Sequence, residues 1–198
     1  MVVTALLTDL DGTLWDSAQW LATLLEPEDA LRRGRFADAL RTPKNGVTAA
    51  KLLGSHYSAA GFERACRDHS VAGLLYADAG EVLQALGAKG TTLGVVTGLP
   101  AWIARPMLEA TGLLPLFSTI QTARRGVRPK PNPAGLLAAL SDLDCPAEAA
   151  VYVGDAAVDG EAARAASVRF LGAGWGYGAG LPKGAEVASS WTSVWDHL

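Results

Sequence analysis

Four short runs of branched apolar residues, each stopped by a polar residue or a glycine, restrict this chain more than any other feature. They are Val3–Thr8, Thr92–Thr97, Ala149–Val153 and Val168–Leu171. None alternates strictly between apolar and polar positions. That is the pattern of strands covered on both faces in a parallel sheet. Helical patterns lie between them. Ala101–Thr111 carries Pro106 as an expected kink or boundary, Asn132–Leu143 has Pro133 in its first turn, and Gly160–Ala166 is rich in alanine. Strand alternating with helix implies an α/β fold. Ligands of such sheets gather at the carboxyl ends of the strands, so the residues just past each strand are the first candidates for chemistry.

One region breaks the alternation. From Trp15 to Ala79 no strand pattern occurs, and "WLATLLEPEDALRRGRFADAL" and "NGVTAAKLLGSHYSAAGFERACRDH" have helical spacing. The expected organisation is therefore a helical module, residues 15–79, inserted after the first strand of a core made of residues 1–14 and 80–198. Trp15–Ser17 and Ala77–Gly80 would be its hinges. The glycines of "GAGWGYGAG" (Gly172–Gly180) do not fit a dinucleotide fingerprint and read as a loop.

Composition narrows the function classes. A formal net charge of −3 offers no basic field for a nucleic-acid backbone. No apolar run reaches membrane-spanning length, and the first one meets Asp9 before it could act as a signal peptide. Cys66 and Cys145 have no paired spacing and read as free thiols of a reducing, cytoplasmic compartment.

The strand ends supply an unusual set. The first gives Asp9 and Asp11, the second Thr97 and Gly98, and the fourth-quarter strand "VYVGDAAVD" gives Asp155 and Asp159. Lys130 stands between two prolines in the loop before the Asn132 helix. Several carboxylates in one crevice would hold protons at neutral pH unless a cation offsets them. Oxygen ligands without His or Cys favour a hard cation, and Mg²⁺ above others. Mg²⁺ commonly shares its coordination with phosphate, whose remaining oxygens a lysine and a threonine hydroxyl would neutralise and orient. Phosphoryl transfer needs positioning and charge stabilisation, and one carboxylate remains free as a nucleophile. A calcium loop fails, because the sixth and twelfth positions counted from Asp9 are Leu14 and Trp20 rather than Gly and Glu.

Together, "DLDGTL", "VVTG", "RPKPNP" and "VGDAAVD" resemble, in order, the four motifs of the haloacid dehalogenase superfamily, on its phosphatase branch. The resemblance spans essentially the whole chain and implies a Rossmann-like three-layer core with a small helical cap at residues 15–79. It implies Asp9 as nucleophile and Asp11 as general acid and then base. It implies Mg²⁺ held by Asp9, the Asp11 carbonyl and Asp155, with Asp159 in support, and phosphate bound by Thr97, Gly98 and Lys130. Family dehalogenases typically lack the second aspartate, so Asp11 favours a phosphate-ester substrate. "GWGYG" (Gly174–Gly178) resembles a loop of phosphoglycolate-phosphatase-like members. The expected activity is Mg²⁺-dependent hydrolysis of a small phosphorylated metabolite, phosphoglycolate-like or a sugar phosphate. A phosphomutase would use the same core motifs, and a non-catalytic binding protein could keep the fold.

Other residues carry weaker signals. One of Arg32, Arg33, Arg35, Arg41 or Lys44 could face the crevice and read a substrate anion, and Arg124, Arg125 and Arg128 could line its rim. His56 and His69 read as ordinary cap residues. The tryptophans, including Trp191 and Trp195 in a C-terminal helical stretch, read as packing residues.

Overall fold

The computed structural model describes residues 3–25, 28–41, 51, 53–68, 71–177 and 180–198. Lys44, His69 and Gly178 lie outside the described residues. A six-stranded parallel sheet organises the chain in the order β3-β2-β1-β4-β5-β6. Its strands are β1 (Ala5–Thr8), β2 (Thr92–Pro100), β3 (Thr119–Ala123), β4 (Ala150–Gly154), β5 (Arg169–Ala173) and β6 (Glu186–Ala188). All four residues of β1 are buried, as a central strand covered on both faces requires.

Helices cover both faces. Leu6, Val95 and Val151 point to one side, where they pack with Leu83 and Leu86 of one helix (Ala79–Ala88) and Ile103 and Met107 of another (Ala101–Ala110). Ala5, Leu7 and Tyr152 point to the other, against Leu136 and Leu140 of Ala134–Asp142 and Ala162 and Ala163 of Ala157–Ala165. The three-layer α/β reading of the sequence therefore holds.

In chain order the described helices are α1 (Ala18–Leu25), α2 (Ala30–Leu40), α3 (Ala59–Asp68), α4 (Ala79–Ala88), α5 (Ala101–Ala110), α6 (Ala134–Asp142) and α7 (Ala157–Ala165). Between β1 and β2 the described residues form helices and no strand of the sheet. α1 packs on α2, and α3 packs on α5, where Phe62 meets Trp102 edge to face at 5.6 Å between ring centres. The two ends of this insertion run side by side: Asp16 N–H donates to the Leu74 carbonyl at 2.9 Å and Tyr76 N–H to that of Leu14 at 3.1 Å.

Several expectations need correction. β3 and β6 carry no continuous apolar run, because edge strands bury only part of their surface; β3 is mostly half-buried and β6 mostly exposed. β5 extends through Gly172 and Ala173, so the glycine-rich segment is a strand end followed by a turn. Pro106 sits inside α5, which continues through it. α7 starts at Ala157, a turn before Gly160. Other expectations hold: Trp191 is buried, a 3₁₀ helix, Thr192–His197, follows it, and both cysteines are free.

Candidate active site

Register decides which residues meet. Thr8, the last residue of β1, pairs with Val95 on one side and Val153 on the other. Asp9, Thr97 and Asp155 each follow their register partner by one or two positions, so all three arrive at the same edge of the sheet. The Asp9 N–H donates to the Val153 carbonyl at 2.9 Å, prolonging the β1–β4 pairing by one residue. β1 is apolar because it holds this end still from both faces.

Lys130 closes the set. Its Nζ lies 2.6 Å from Asp159 Oδ1, 2.9 Å from Asp9 Oδ1 and 3.1 Å from the Tyr152 hydroxyl. Burial pulls the ammonium toward neutrality, but Asp159 and Asp9 outweigh it and hold its pKa well above the ordinary lysine range. Asp159 uses both oxygens: Oδ1 faces Lys130, and Oδ2 accepts from Ala156 N–H at 3.0 Å, capping α7. Asp155 accepts from Thr13 Oγ1 at 3.3 Å and from Tyr177 N–H at 3.0 Å.

Carboxylate oxygens of Asp9, Asp155 and Asp159 lie within 4.8 Å of one another, and all three residues are buried. Three carboxylates face one ammonium, Lys130, so ionising all of them leaves an excess of two negative charges. The consequence is visible in proton affinity. Burial, opposed by Lys130 and reinforced by Asp159 and Asp155, pushes Asp9 up to about 7. Burial and the Asp159 charge push Asp155 up to about 6. Asp9 Oδ1 touches Lys130 only as an ion contact and receives no aligned hydrogen bond, although it is buried. Three buried carboxylates around one ammonium, with two negative charges in excess when ionised, fit a divalent oxygen-seeking cation.

Asp11 is held apart from this group. Its Oδ1 accepts from Trp15 Nε1 at 2.9 Å and from the Ser17 hydroxyl. Burial raises its pKa, with the Ser17 and Trp15 bonds working the other way. Gly12 makes the separation possible. Its φ is +78°, and a Cβ there would lie 2.3 Å from Asp155 Oδ2. Gly12→Ala should therefore cost at least about 2 kcal/mol, from left-handed strain plus the clash, and lower the melting temperature by roughly 4 °C or more. A thermal melt within 1 °C of wild type, roughly its measurement error, would show that the loop yields freely.

Thr97 is buried and Gly98 half-buried; the Thr97 Oγ1 accepts from Leu99 N–H at 3.1 Å. With Lys130, Arg124 and Arg128 they line a cavity of about 180 Å³. The rim expected from Arg124 and Arg128 thus borders this cavity. Arg41, at the C-terminus of α2, bonds Asp16 at 3.2 Å, near the start of the insertion. Arg32 instead pairs with Asp29 at the start of its own helix.

Sequence reasoning missed Tyr152, Thr13 and Tyr177. Tyr152 is fully buried, and its hydroxyl donates to the Val96 carbonyl at 2.9 Å while facing Lys130. A lone tyrosine in the buried strand "AVYVG" needs a partner for its hydroxyl, and that was the signal available.

The haloacid dehalogenase-like hydrolase family matches residues 62–173. The pyrophosphatase PpaX of Bacillus velezensis is 31% identical over 201 residues, covering 96% of this chain and 89% of that protein. The chain belongs to the haloacid dehalogenase-like hydrolase family, on its phosphatase branch. A phosphoglycolate phosphatase of Pseudomonas savastanoi is 29% identical over 192 residues, covering 88% of this chain and 70% of its relative. Among solved structures, a haloacid dehalogenase superfamily hydrolase of subfamily IA from Geobacter sulfurreducens superimposes with a TM-score of 0.73 over the full length of both chains at 23% identity, a likeness of fold.

Proposed function

We propose that this phosphatase hydrolyses a small phosphorylated metabolite, phosphoglycolate-like or a sugar phosphate, with Mg²⁺ and through a phosphoryl group carried on Asp9. The observation that carries this reading is the division of labour between the two acids of one loop. Asp9 faces Lys130 with an oxygen short of partners, whereas Asp11 sits two residues on, bonded only to Trp15 and Ser17 among its described side-chain partners. When bound between Asp9, the Asp11 carbonyl and Asp155, Mg²⁺ would supply charge that lets Asp9 stay ionised and neutralises phosphate oxygens.

The residues of the chain do the rest. Asp9 attacks phosphorus, forming an aspartyl-phosphate as the bond from phosphorus to the ester oxygen breaks. Asp11, whose hold on a proton burial strengthens, gives its proton to that oxygen. Asp11 then takes a proton from water as the water attacks the aspartyl-phosphate, which releases inorganic phosphate and restores Asp9. Thr97 and Gly98 orient the transferred group, and Lys130 offsets its charge. Asp159 holds Lys130 in place. We take residues 15–79 as a cap domain over the strand ends, hinged at Trp15–Ser17 and Ala77–Gly80, that excludes water between steps. No described helix is long and apolar enough to cross a membrane. The reading places the enzyme in the cytoplasm, with a small molecule rather than a nucleic acid as its partner.

A panel of phosphate monoesters and pyrophosphate with Mg²⁺, read by free-phosphate detection, tests this. Release from at least one monoester supports it. An isomerised sugar phosphate with no phosphate released would make the enzyme a mutase.

Metal dependence has a pH signature. Asp9 and Asp155 have folded pKa values of about 7 and about 6, above the ordinary 3.8 that they regain on unfolding. Between those values the folded, metal-free protein binds more protons than the unfolded chain, so these two groups make stability fall as pH rises from about 4 to about 7. A cation that displaces those protons is therefore worth more above that window than inside it. At a concentration about 100 times its dissociation constant, Mg²⁺ should add about 2.7 kcal/mol, or roughly 5–10 °C, at about pH 8 and distinctly less at about pH 5. Equal thermal shifts at the two pH values would contradict this.

A further inference from the structure

We propose that Tyr177 is a positioning residue for the reaction, tying the Asp155 carboxylate to Asp16 and, through it, to Arg41 at the end of α2. The proposal rests on the reading of Asp155 as a metal ligand. Tyr177 makes contacts from both of its ends. Its N–H donates to Asp155 Oδ2 at 3.0 Å, and its hydroxyl donates to Asp16 Oδ1 at 3.1 Å. The other oxygen of Asp16 accepts from Arg41 at 3.2 Å, and the Arg41 guanidinium lies 5.9 Å from the centre of the Tyr177 ring. Arg41 caps the C-terminus of α2, so these bonds join the sheet edge, the linker at Asp16 and the inserted helices.

The inner end of this chain of contacts is tightly packed. A Cβ on Gly176 would lie 2.2 Å from the Gly12 carbonyl oxygen and 2.4 Å from the Asp155 Cβ, so the turn lies backbone to backbone against the loop carrying Asp9 and Asp11. Trp175 and Trp191 both donate to the Thr13 carbonyl, at 2.8 and 2.9 Å. The outer end is freer: the Asp16 and Arg41 side chains are 38% and 37% exposed. A displacement of α2 passes through Asp16 to the phenol, and the Tyr177 backbone carries it to Asp155. Tyr177 thereby helps set the direction of a carboxylate whose Oδ2 it bonds and whose Oδ1 accepts from Thr13.

Tyr177→Phe keeps the ring and the N–H and removes the hydroxyl, with its bond to Asp16 and its contact with the Ala18 backbone. Mg²⁺ titrations followed by thermal stabilisation should show the half-effect concentration rising, by up to about tenfold when the full value of a hydrogen bond to a charged group is coupled to metal binding. Arg41→Gln should raise it about threefold, and the double variant no further than Tyr177→Phe alone, because the groups act in series. KM for substrate and kcat measured at saturating Mg²⁺ should return toward wild type. An unchanged Mg²⁺ midpoint in Tyr177→Phe, even with a lowered melting temperature, overturns the positioning role, as do additive effects in the double variant. A wild-type protein that Mg²⁺ does not stabilise at any concentration overturns the metal reading, and the proposal with it.

Discussion

Asp9→Asn is expected to abolish turnover, by about 10⁴-fold or more, while the protein folds normally. The amide keeps the shape of the side chain but cannot attack phosphorus. Stability should not suffer. Asp9 is a buried carboxylate pushed up to about 7, with an oxygen lacking a hydrogen bond, so its charge costs the metal-free fold more than it contributes. The Asp9→Asn protein without metal should melt at or above the wild-type temperature. Its Mg²⁺-induced stabilisation should shrink, since a neutral amide is a weaker ligand. Steady-state phosphate release and thermal melts on the same preparations separate these effects. Residual activity within about tenfold of wild type would remove Asp9 from the covalent role.

The largest structural effect belongs to Lys130. Its ammonium contacts Asp9, Asp159 and Tyr152 and is nearly inaccessible, with 12% of the side chain exposed. Lys130→Met leaves two buried acids without their cation, and breaking a buried pair from one side costs about 3–5 kcal/mol. Asp9 can partly escape by taking up a proton. Asp9 and Asp155 already sit high, and losing the lysine charge moves Asp9 higher still. The cost therefore depends on pH in a defined direction. It is smallest near pH 5, where Asp9 holds its proton, and grows toward pH 8, where Asp9 must ionise without its partner. Denaturant unfolding of wild type and Lys130→Met at both pH values measures it. A deficit below about 1 kcal/mol at pH 8 would mean that the ion contacts contribute little.

How much of this was legible in the sequence follows from the physics of each residue. Asp9, Asp11, Thr97 and Asp155 were readable because they follow apolar strands, Asp159 because it stands four residues past Asp155, and Lys130 because two prolines flank it in the loop before α6. A parallel register carries strand ends to one edge, and here Thr8 does align with Val95 and Val153. Tyr152 was not read as part of the site, because a tyrosine in a strand reads as core. It is core on its ring and site on its hydroxyl. Tyr177 was hidden for a different reason. It follows Asp155 by 22 positions and reaches it through a backbone N–H, which has no residue-type signature. β3 and β6 escaped because an edge strand such as "TIQTA" needs no apolar run. Among the basic residues of the insertion, only tertiary packing could single out Arg41, since helix periodicity says which face a residue occupies and not what stands opposite.

The most direct test of the covalent mechanism is to quench the enzyme in acid during turnover with Mg²⁺ and a phosphate monoester that it hydrolyses, and to map phosphoryl groups by peptide mass. The expected result is one phosphoryl group on the peptide that contains Asp9, absent from Asp9→Asn and, with an activated ester whose leaving group needs no proton, more abundant in Asp11→Asn, where the base for the attacking water is missing. Wild-type turnover with no phosphoryl group trapped on that peptide, or with one trapped elsewhere, would contradict it.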